Sequence, residues 1–318
     1  MRWDDFRRSD NVEDRTGSDG GGGGGCPLGG GVRLGGGALV VVVIASLIFG
    51  VNPLEMIGMI EGSGPVTSSQ PPSQPQPGYG PQHAPAPAPG QPRSPSAQKD
   101  STKDHVAAVL GDTEDVWRTV FQTMGARYEP PRLVLFHDAT RPSACGRVSS
   151  ATGPFYCSAD RELYLDTAFF DELSRRFGAP GDFAQAYVIA HEVGHHVQDL
   201  VGIADYVGKI RQGGNQRDIN ATQVKMELQA DCFAGVWGRV AGDKQTAAGL
   251  PVMEAGDLEE GLNAANAIGD DTLQRQSRGY VQPESFTHGT SEQRKAWLKK
   301  GYDTGDPAQC DTFSAANL

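Results

Sequence analysis

The sequence lacks an excess of basic residues: its 28 lysines and arginines are outnumbered by 39 acidic residues, giving a formal net charge of -11. A nucleic-acid-binding domain presents a basic face to the phosphates, so this balance argues against a nucleic-acid partner. Cysteine is also scarce, with five in 318 residues. No two cysteines have the Cys-x-x-Cys spacing that is typical of a structural zinc site.

The five cysteines are unevenly placed. Cys26 lies in a glycine-rich stretch, whereas the other four lie where the composition is globular. An even count in that part predicts two disulfides and an oxidising compartment. Nearness in sequence favours a Cys145–Cys157 pair, which leaves Cys232–Cys310 as the second. The alternative is four reduced, buried thiols, because so few cysteines carry little information about pairing.

Long apolar runs are rare as well. Residues 1–33 are polar, with consecutive glycines over residues 20–25, and we expect this head to be disordered. Residues 38–51 are uncharged and strongly apolar, and with the residues just before them they reach the minimum spanning length of about 17 or 18. We therefore predict a transmembrane helix over residues 34–54. A signal peptide is the competing interpretation, but the head is long and no small-residue cleavage site follows.

Basic residues predict the orientation of this helix. Five precede it and none follows until Arg93. The five are Arg2, Arg7, Arg8, Arg15 and Arg33. Because positive charge is retained on the cytoplasmic side, we expect a cytoplasmic amino terminus and an extracytoplasmic location for the rest of the chain, held at the cell membrane by a single pass.

The remaining chain divides into a spacer and one folded domain. Residues 55–100 are rich in proline, glycine and glutamine, which is typical of an extended linker. Residues 101–318 are long enough to bury a core of their own. Periodicity and capping residues predict helices over residues 106–124 (interrupted near Gly111), 182–201, 221–241, 257–268 and 291–301, and strands over 132–136 and 161–165.

One predicted helix carries the motif His191-Glu192-Val193-Gly194-His195. Histidines four residues apart project from one helix face, so both imidazoles can bind one tetrahedral zinc ion. Glu192 points toward the same side and can hold a zinc-bound water. The alternative is an exposed polar stripe, but the other residues of this helix are mostly apolar, and buried histidines and a buried glutamate need a function.

A second predicted helix carries Glu227 and Asp231, again four residues apart. Zinc in a catalytic site needs a third protein ligand, and Glu227 can supply it. Asp231 can then accept the free ring N–H of His191, which fixes the tautomer of that imidazole. Without the two histidines, a solvated acidic face would be the better interpretation.

A hydrolytic mechanism also needs a donor for the tetrahedral oxyanion. His288, just before a capped helix, is our candidate, and Tyr187 and Tyr206 are weaker ones. His288 is equally compatible with a structural role in its loop. We assign no role to His137 and His196, which we expect to be packing or surface residues.

Several segments together resemble the bacterial family of "putative neutral zinc metallopeptidases", which are membrane-anchored zincins. The segments are residues 9–15, 47–53, 153–160, 191–198, 227–235 and 288–294. The resemblance implies a zincin-like α+β fold, mainly helical with a small sheet. It also implies His191, His195 and Glu227 as ligands of one zinc ion.

The expected function is zinc-dependent peptide-bond hydrolysis outside the cytoplasmic membrane, with Glu192 as general base and acid. The partners are then a polypeptide or peptide substrate and the membrane. Two other functions stay open: a zinc amidase acting on cell-wall peptides, and a non-catalytic envelope scaffold stabilised by zinc. Glu192 argues against the scaffold, because a purely structural zinc site needs no base.

Overall fold

A computed structural model of the chain describes residues 1–17, 95–137, 141–315 and 318. This part contains eight α-helices and six β-strands, which is compatible with the expected α+β class, mainly helical with a small sheet. The strands are β1 (Val12–Asp14), β2 (Arg132–Phe136), β3 (Arg141–Ser143), β4 (Gly146–Val148), β5 (Phe155–Cys157) and β6 (Glu162–Asp166). The helices are α1 (Pro95–Thr123), α2 (Ala168–Arg175), α3 (Asp182–Leu200), α4 (Ile203–Gly213), α5 (Gln216–Gly242), α6 (Asp257–Ala267), α7 (Asp270–Arg278) and α8 (Ser291–Thr304).

The larger sheet has four strands in the order β1-β2-β6-β5. Strands β1, β2 and β6 run parallel, and β5 pairs antiparallel with β6. The central strand β2 is apolar after its first residue and is buried from Leu133 to Phe136, as a strand covered on both faces should be. Strands β3 and β4 form a separate hairpin.

Helices α3 and α5 pack side by side in the core. The α3 side chains Phe183, Val193 and Val197 are almost fully buried, as are Val236 and Trp237 of α5. The rings of Phe183 and Trp237 stack with their centroids 5.9 Å apart. Helices α6 and α8 cover the other sides of this pair. Neighbouring helices therefore pack on several sides of these two long helices, so that they can position the side chains of a functional site.

Both expected disulfides are present. Cys145 is bonded to Cys157, and Cys232 is bonded to Cys310. The first joins the β3–β4 hairpin to β5. The second joins the middle of α5 to the short 3-10 helix Pro307–Cys310 near the end of the chain.

Two helices have boundaries that differ from the predictions. Helix α1 continues through Gly111 without interruption and begins at Pro95, inside the expected linker. Helix α5 begins at Gln216, because the side chain of Asn215 caps it by accepting the backbone N–H of Asp218. The prediction for this helix began five residues later, at position 221.

The first seventeen residues, here called the N-terminal segment, contradict the expectation of a disordered head. They include β1, which adds an edge strand to the sheet, and they bury Met1, Phe6 and Ser9 against the domain. The rest of the expected head, the expected span over 34–54 and the linker up to residue 94 lie outside the described residues. Among the described helices, none is long and apolar enough to cross a bilayer.

Candidate metal centre

Helices α3 and α5 bring the predicted metal ligands together. His191 and His195 lie on the face of α3 that meets α5, and Glu227 lies opposite them on α5. The helices approach closely at Gly194, where a Cβ atom would lie only 3.0 Å from the carbonyl oxygen of Ala230. A larger residue at position 194 would push α5, and therefore Glu227, away from the histidines.

The spacing of the three side chains fits one small metal ion. The Nε2 atom of His191 lies 3.2 Å from Oε2 of Glu227, and Nε2 of His195 lies 3.3 Å from the same oxygen. A tetrahedral zinc ion with bonds of about 2.0–2.1 Å holds its ligand atoms about 3.3–3.4 Å apart. The potential donor atoms of all three residues lie within 4.8 Å of one another.

Hydrogen bonds on the far side of each ring fix which nitrogen faces the centre. The Nδ1 atom of His191 lies 2.8 Å from Oδ1 of Asp231, and Nδ1 of His195 lies 2.8 Å from Oε1 of Gln198. Since both partners are acceptors, each ring donates from Nδ1. Nε2 is therefore the nitrogen of each ring that faces the Glu227 carboxylate, and it is the atom that each ring offers to a metal ion.

Asp231 is wholly buried, and hydrogen bonds to its carboxylate compensate for the loss of water. Arg294 of α8 donates to both carboxylate oxygens over 2.9 Å, and the hydroxyl of Tyr187 donates to Oδ1 over 2.6 Å. Burial raises the pKa of Asp231, but the charge of Arg294 outweighs it and brings the pKa to about 2. Burial also lowers the pKa of His191, but Asp231 and Glu227 outweigh it and raise the pKa to about 9. The negative potential beside His191 favours a cation.

Gln198 holds His195 through a chain of amide groups. Its Nε2 donates to the carbonyl of Met226 over 2.7 Å and to Oε1 of Gln229 over 3.0 Å. Those two bonds orient the amide so that its oxygen faces His195. Gln229 in turn donates to the carbonyl of Cys310 over 3.0 Å. The ring of His195 is therefore connected to the segment that the second disulfide fixes.

The second oxygen of Glu227 is held in a similar way. Nε2 of Gln223 donates to Oε1 of Glu227 over 2.7 Å, and the guanidinium of Arg211 in α4 donates to the amide oxygen of Gln223. Burial raises the pKa of Glu227, but the charges of His195 and His288 outweigh it and hold the pKa well below its usual value. Glu227 therefore remains ionised and keeps Oε2 toward the centre.

Glu192 differs from the other acidic residues of the centre. It is 9% exposed, yet no residue in the described parts of the chain gives its carboxylate a hydrogen bond or an ion pair. A buried structural carboxylate is normally paired, because an isolated buried charge is costly. Glu192 is therefore free to accept a proton from a molecule that enters the site.

The structure places the candidate oxyanion donors in different surroundings. His288 precedes α8, and its backbone N–H and those of its neighbours Thr287 and Gly289 donate to Oδ2 of Asp270 over 2.6–3.1 Å. Burial lowers the pKa of the His288 ring, but the charges of Glu227 and Asp270 outweigh it and raise the pKa. The structure thus brings His288 into the electrostatic field of the centre.

The two tyrosines do not serve as free donors in this arrangement. Tyr187 is buried, and its hydroxyl already donates to Asp231. Tyr206 is 53% exposed on α4, where its ring packs on Phe313. Among the residues given no role, His196 bonds to the hydroxyl of Tyr156 and the carbonyl of Glu129.

Sequence reasoning missed three residues that hold the ligands. Gln198 lies three residues after His195, and Gln223 lies four residues before Glu227, so helical spacing is a signal that points to both. Arg294 is 63 residues from Asp231, and no local pattern connects the two.

A second acidic cluster, Asp182, Asp257 and Glu260, also has the spacing of a metal site. The α-amino group of Met1 lies 2.6 Å from Oδ1 of Asp182 and 3.1 Å from Oδ1 of Asp257. Glu260 accepts the backbone N–H of Phe183 over 3.2 Å, at the first turn of α3. This cluster already contains a cation, and it holds the start of the helix that carries the histidines.

Fold and centre together define a mainly helical α+β protein in which the two histidines of a His-Glu-x-x-His motif and Glu227 have the spacing of a metal site. Residues 1–313 match the model of a family described as "Putative neutral zinc metallopeptidase". The chain belongs to this family.

Two relatives illustrate the similarity. "Uncharacterized protein YpfJ" of Escherichia coli (strain K12) is 47% identical over 313 residues, covering 98% of this chain and 99% of its own length. "Uncharacterized protein Rv2575" of Mycobacterium tuberculosis (strain ATCC 25618 / H37Rv) is 43% identical over 218 residues, covering 67% of this chain and 71% of its own length. No solved structure matches the chain significantly.

Proposed function

We propose that this protein is a zinc-dependent hydrolase of peptide bonds with a zincin-like catalytic domain. The observation that carries the proposal is the pairing of a three-donor centre with an unpaired carboxylate on the same helix. His191, His195 and Glu227 offer two imidazole nitrogens and one carboxylate oxygen at the mutual distances that zinc requires. Glu192, beside His191, has no competing partner among the described residues.

The number of protein donors favours catalysis over a structural role. A structural zinc site has four protein ligands, whereas a catalytic site has three and leaves a position for substrate or water. Among the described residues, His191, His195 and Glu227 are the set that converges here. The name of the family also supports zinc as the metal.

Zinc held by these residues supplies a Lewis acid that activates water and polarises the scissile carbonyl. Glu192 accepts the proton of the attacking water and then donates it to the leaving amine. Asp231 and Gln198 keep the two imidazoles in the tautomer that leaves Nε2 free. His288 donates to the oxyanion as the carbonyl becomes tetrahedral.

We place this activity outside the cytoplasmic membrane. Two disulfides support this location, because such bonds persist in oxidising compartments. A location on the outer side also fits a peptide or polypeptide of the cell envelope as substrate.

Cleavage of a peptide mixture by the full chain tests the proposal. Wild type is compared with Glu192→Gln, after zinc loading and with zinc content measured for each protein. Glu259→Gln is the matched control, since Glu259 is exposed on α6. The full chain is used because the N-terminal segment is part of the fold.

We expect cleavage by wild type and by Glu259→Gln, and none by Glu192→Gln with zinc retained. Cleavage of peptidoglycan crosslinks but not of polypeptides would replace the peptidase with the cell-wall amidase. If the three proteins do not differ in their cleavage of either substrate while zinc is bound, the result would favour the non-catalytic scaffold.

A further inference from the structure

The N-terminal segment joins the domain through the main chain. Val12, Glu13 and Asp14 pair in parallel register with Leu133, Val134 and Leu135 of β2. The pairing includes hydrogen bonds from the N–H of Leu133 to the carbonyl of Asn11 and from the N–H of Arg15 to the carbonyl of Leu135, each of 2.8 Å. The segment thus covers an edge of β2 that would otherwise present unpaired backbone groups.

A buried carboxylate of the domain depends on this segment. Glu114 of α1 is 2% exposed. Its oxygens accept hydrogen bonds from Ser9 over 2.5 Å, from Asn11 over 2.8 Å and from Arg7 over 2.6 Å. In the described part of the chain, these partners all come from the N-terminal segment. If the segment lay elsewhere, Glu114 would lose its partners, which is costly for a buried charge.

The backbone of α1 is also shaped to receive the segment. At Gly111, a Cβ atom would lie 2.2 Å from the carbonyl oxygen of Arg7 and 3.1 Å from the backbone nitrogen of Ser9. Only glycine permits this approach without a shift of the segment. The same close approach explains a glycine in the interior of α1, where it otherwise weakens a helix.

The arginines of the segment have partners on the domain. Arg7 pairs with Glu114 and Asp115, and Arg8 pairs with Asp104 over 2.6 Å. Arg2 pairs with Glu254 over 2.7 Å. These are residues whose charges predicted a cytoplasmic amino terminus. Ion pairing with the domain gives them a role in the fold, so their positions no longer indicate the side of a membrane.

We propose that the N-terminal segment and the catalytic domain occupy the same side of the membrane and fold as one unit. The hydrocarbon core of a bilayer is about 30 Å thick, so a chain that crossed it once between residues 17 and 95 would separate β1 from β2. Residues 17 and 95, which flank this stretch, therefore lie on one side of any membrane, and this placement replaces the expected single pass with a cytoplasmic amino terminus. This inference concerns only the placement of the segment, and it stands whether or not the protein hydrolyses peptides.

Cysteine labelling of the full chain tests the shared compartment. Cys26, which is not part of either disulfide, is replaced by Cys26→Ser. One new cysteine is then placed on the segment by Asp10→Cys or on α1 by Gln122→Cys, at two exposed positions. Spheroplasts are treated with a membrane-impermeant maleimide before and after lysis. Labelling after lysis controls for the reactivity of each cysteine.

We expect both cysteines to react before lysis. If neither reacts until lysis, the shared compartment is supported, and only the proposed extracytoplasmic location fails. Labelling of one cysteine but not the other before lysis overturns the inference.

A glycine substitution tests the docking itself. Replacing glycine with alanine inside a helix normally stabilises a protein. We expect Gly111→Ala to lower the unfolding temperature of the full chain, because the added methyl group displaces the segment. Gly208→Ala in α4 is the matched control, since its Cβ would have no neighbour within 4 Å, and it should not lower the unfolding temperature. An increase with Gly111→Ala would contradict the docking.

Discussion

His191 donates its Nδ1 proton to a carboxylate, Asp231, that Arg294 binds through both of its oxygens. These hydrogen bonds leave Nε2 as the nitrogen of His191 that faces Glu227. Asp231 comes from α5 and Arg294 from α8, so the packing of these helices determines the orientation of the imidazole.

Asp231→Asn should weaken zinc binding roughly 10- to 100-fold, the usual cost of losing a carboxylate behind a histidine ligand. The amide keeps the size of the side chain but removes the charge that favours a cation. Zinc affinity is measured by competition with a chromogenic chelator. Asp243→Asn, an exposed change at the end of the same helix, should leave the affinity unchanged. Unchanged affinity in Asp231→Asn would show that Asp231 serves only the fold.

Gln198→Leu should loosen His195, because leucine cannot accept the Nδ1 proton. We expect faster loss of zinc to a chelator in a stopped-flow experiment. Gln198→Glu keeps an acceptor at the same place and should retain zinc better than the leucine variant. Equal rates for the two variants would refute an orienting role for the amide oxygen.

His288→Phe should lower kcat by roughly 10²- to 10³-fold, the usual cost of losing an oxyanion donor. KM and zinc content should change little, since His288 is not among the ligands. His288→Gln, which retains a donor, should recover part of the rate. If kcat is unchanged while the unfolding temperature falls, His288 is a structural residue of its loop.

The free energy of unfolding should decrease as pH falls, because His105 is buried. This residue lies beneath the N-terminal segment, with its ring centroid 4.9 Å from that of Trp3. Burial lowers the pKa of His105 to about 4, although the charges of Asp182 and Asp104 oppose this. Between pH 6.5 and 4 the unfolded chain binds a proton that the folded chain does not. The resulting destabilisation is therefore absent above pH 6.5 and grows as pH falls to about 4, to roughly 3 kcal/mol in total.

The check is the unfolding free energy of wild type and His105→Phe from pH 7.5 to 4.5. The phenylalanine variant should show a shallower decrease, because it has no group to titrate at this position. Parallel curves for the two proteins would assign the pH dependence to other groups.

The sequence signals that bring the candidate ligands together are local. His191 and His195, like Glu227 and Asp231, are four residues apart on one helix, and helical geometry then places each pair on one face. The strand prediction for Arg132–Phe136 also matches the structure. Such features depend on neighbours within a turn or two.

Long-range contacts account for what the sequence does not predict. Arg7 reaches Glu114 across 107 positions, so the composition of residues 1–17 suggests a disordered head when read alone. Similarly, Gly181 is the N-cap residue of α3 and has no side chain to cap it, and the carboxylate of Glu260, 77 residues away, accepts the N–H of Phe183 in the first turn. Tertiary packing determines both outcomes.

The disulfide between Cys232 and Cys310 lies at the far end of the hydrogen-bonded amides that orient His195. Oxidation of these two cysteines fixes the carbonyl of Cys310, which positions Gln229 and, through it, Gln198. A newly made, reduced chain has no such anchor behind one of its ligands. The Cys232–Cys310 bond therefore supports His195 from a distance, and we expect its reduction to weaken metal retention at the candidate centre.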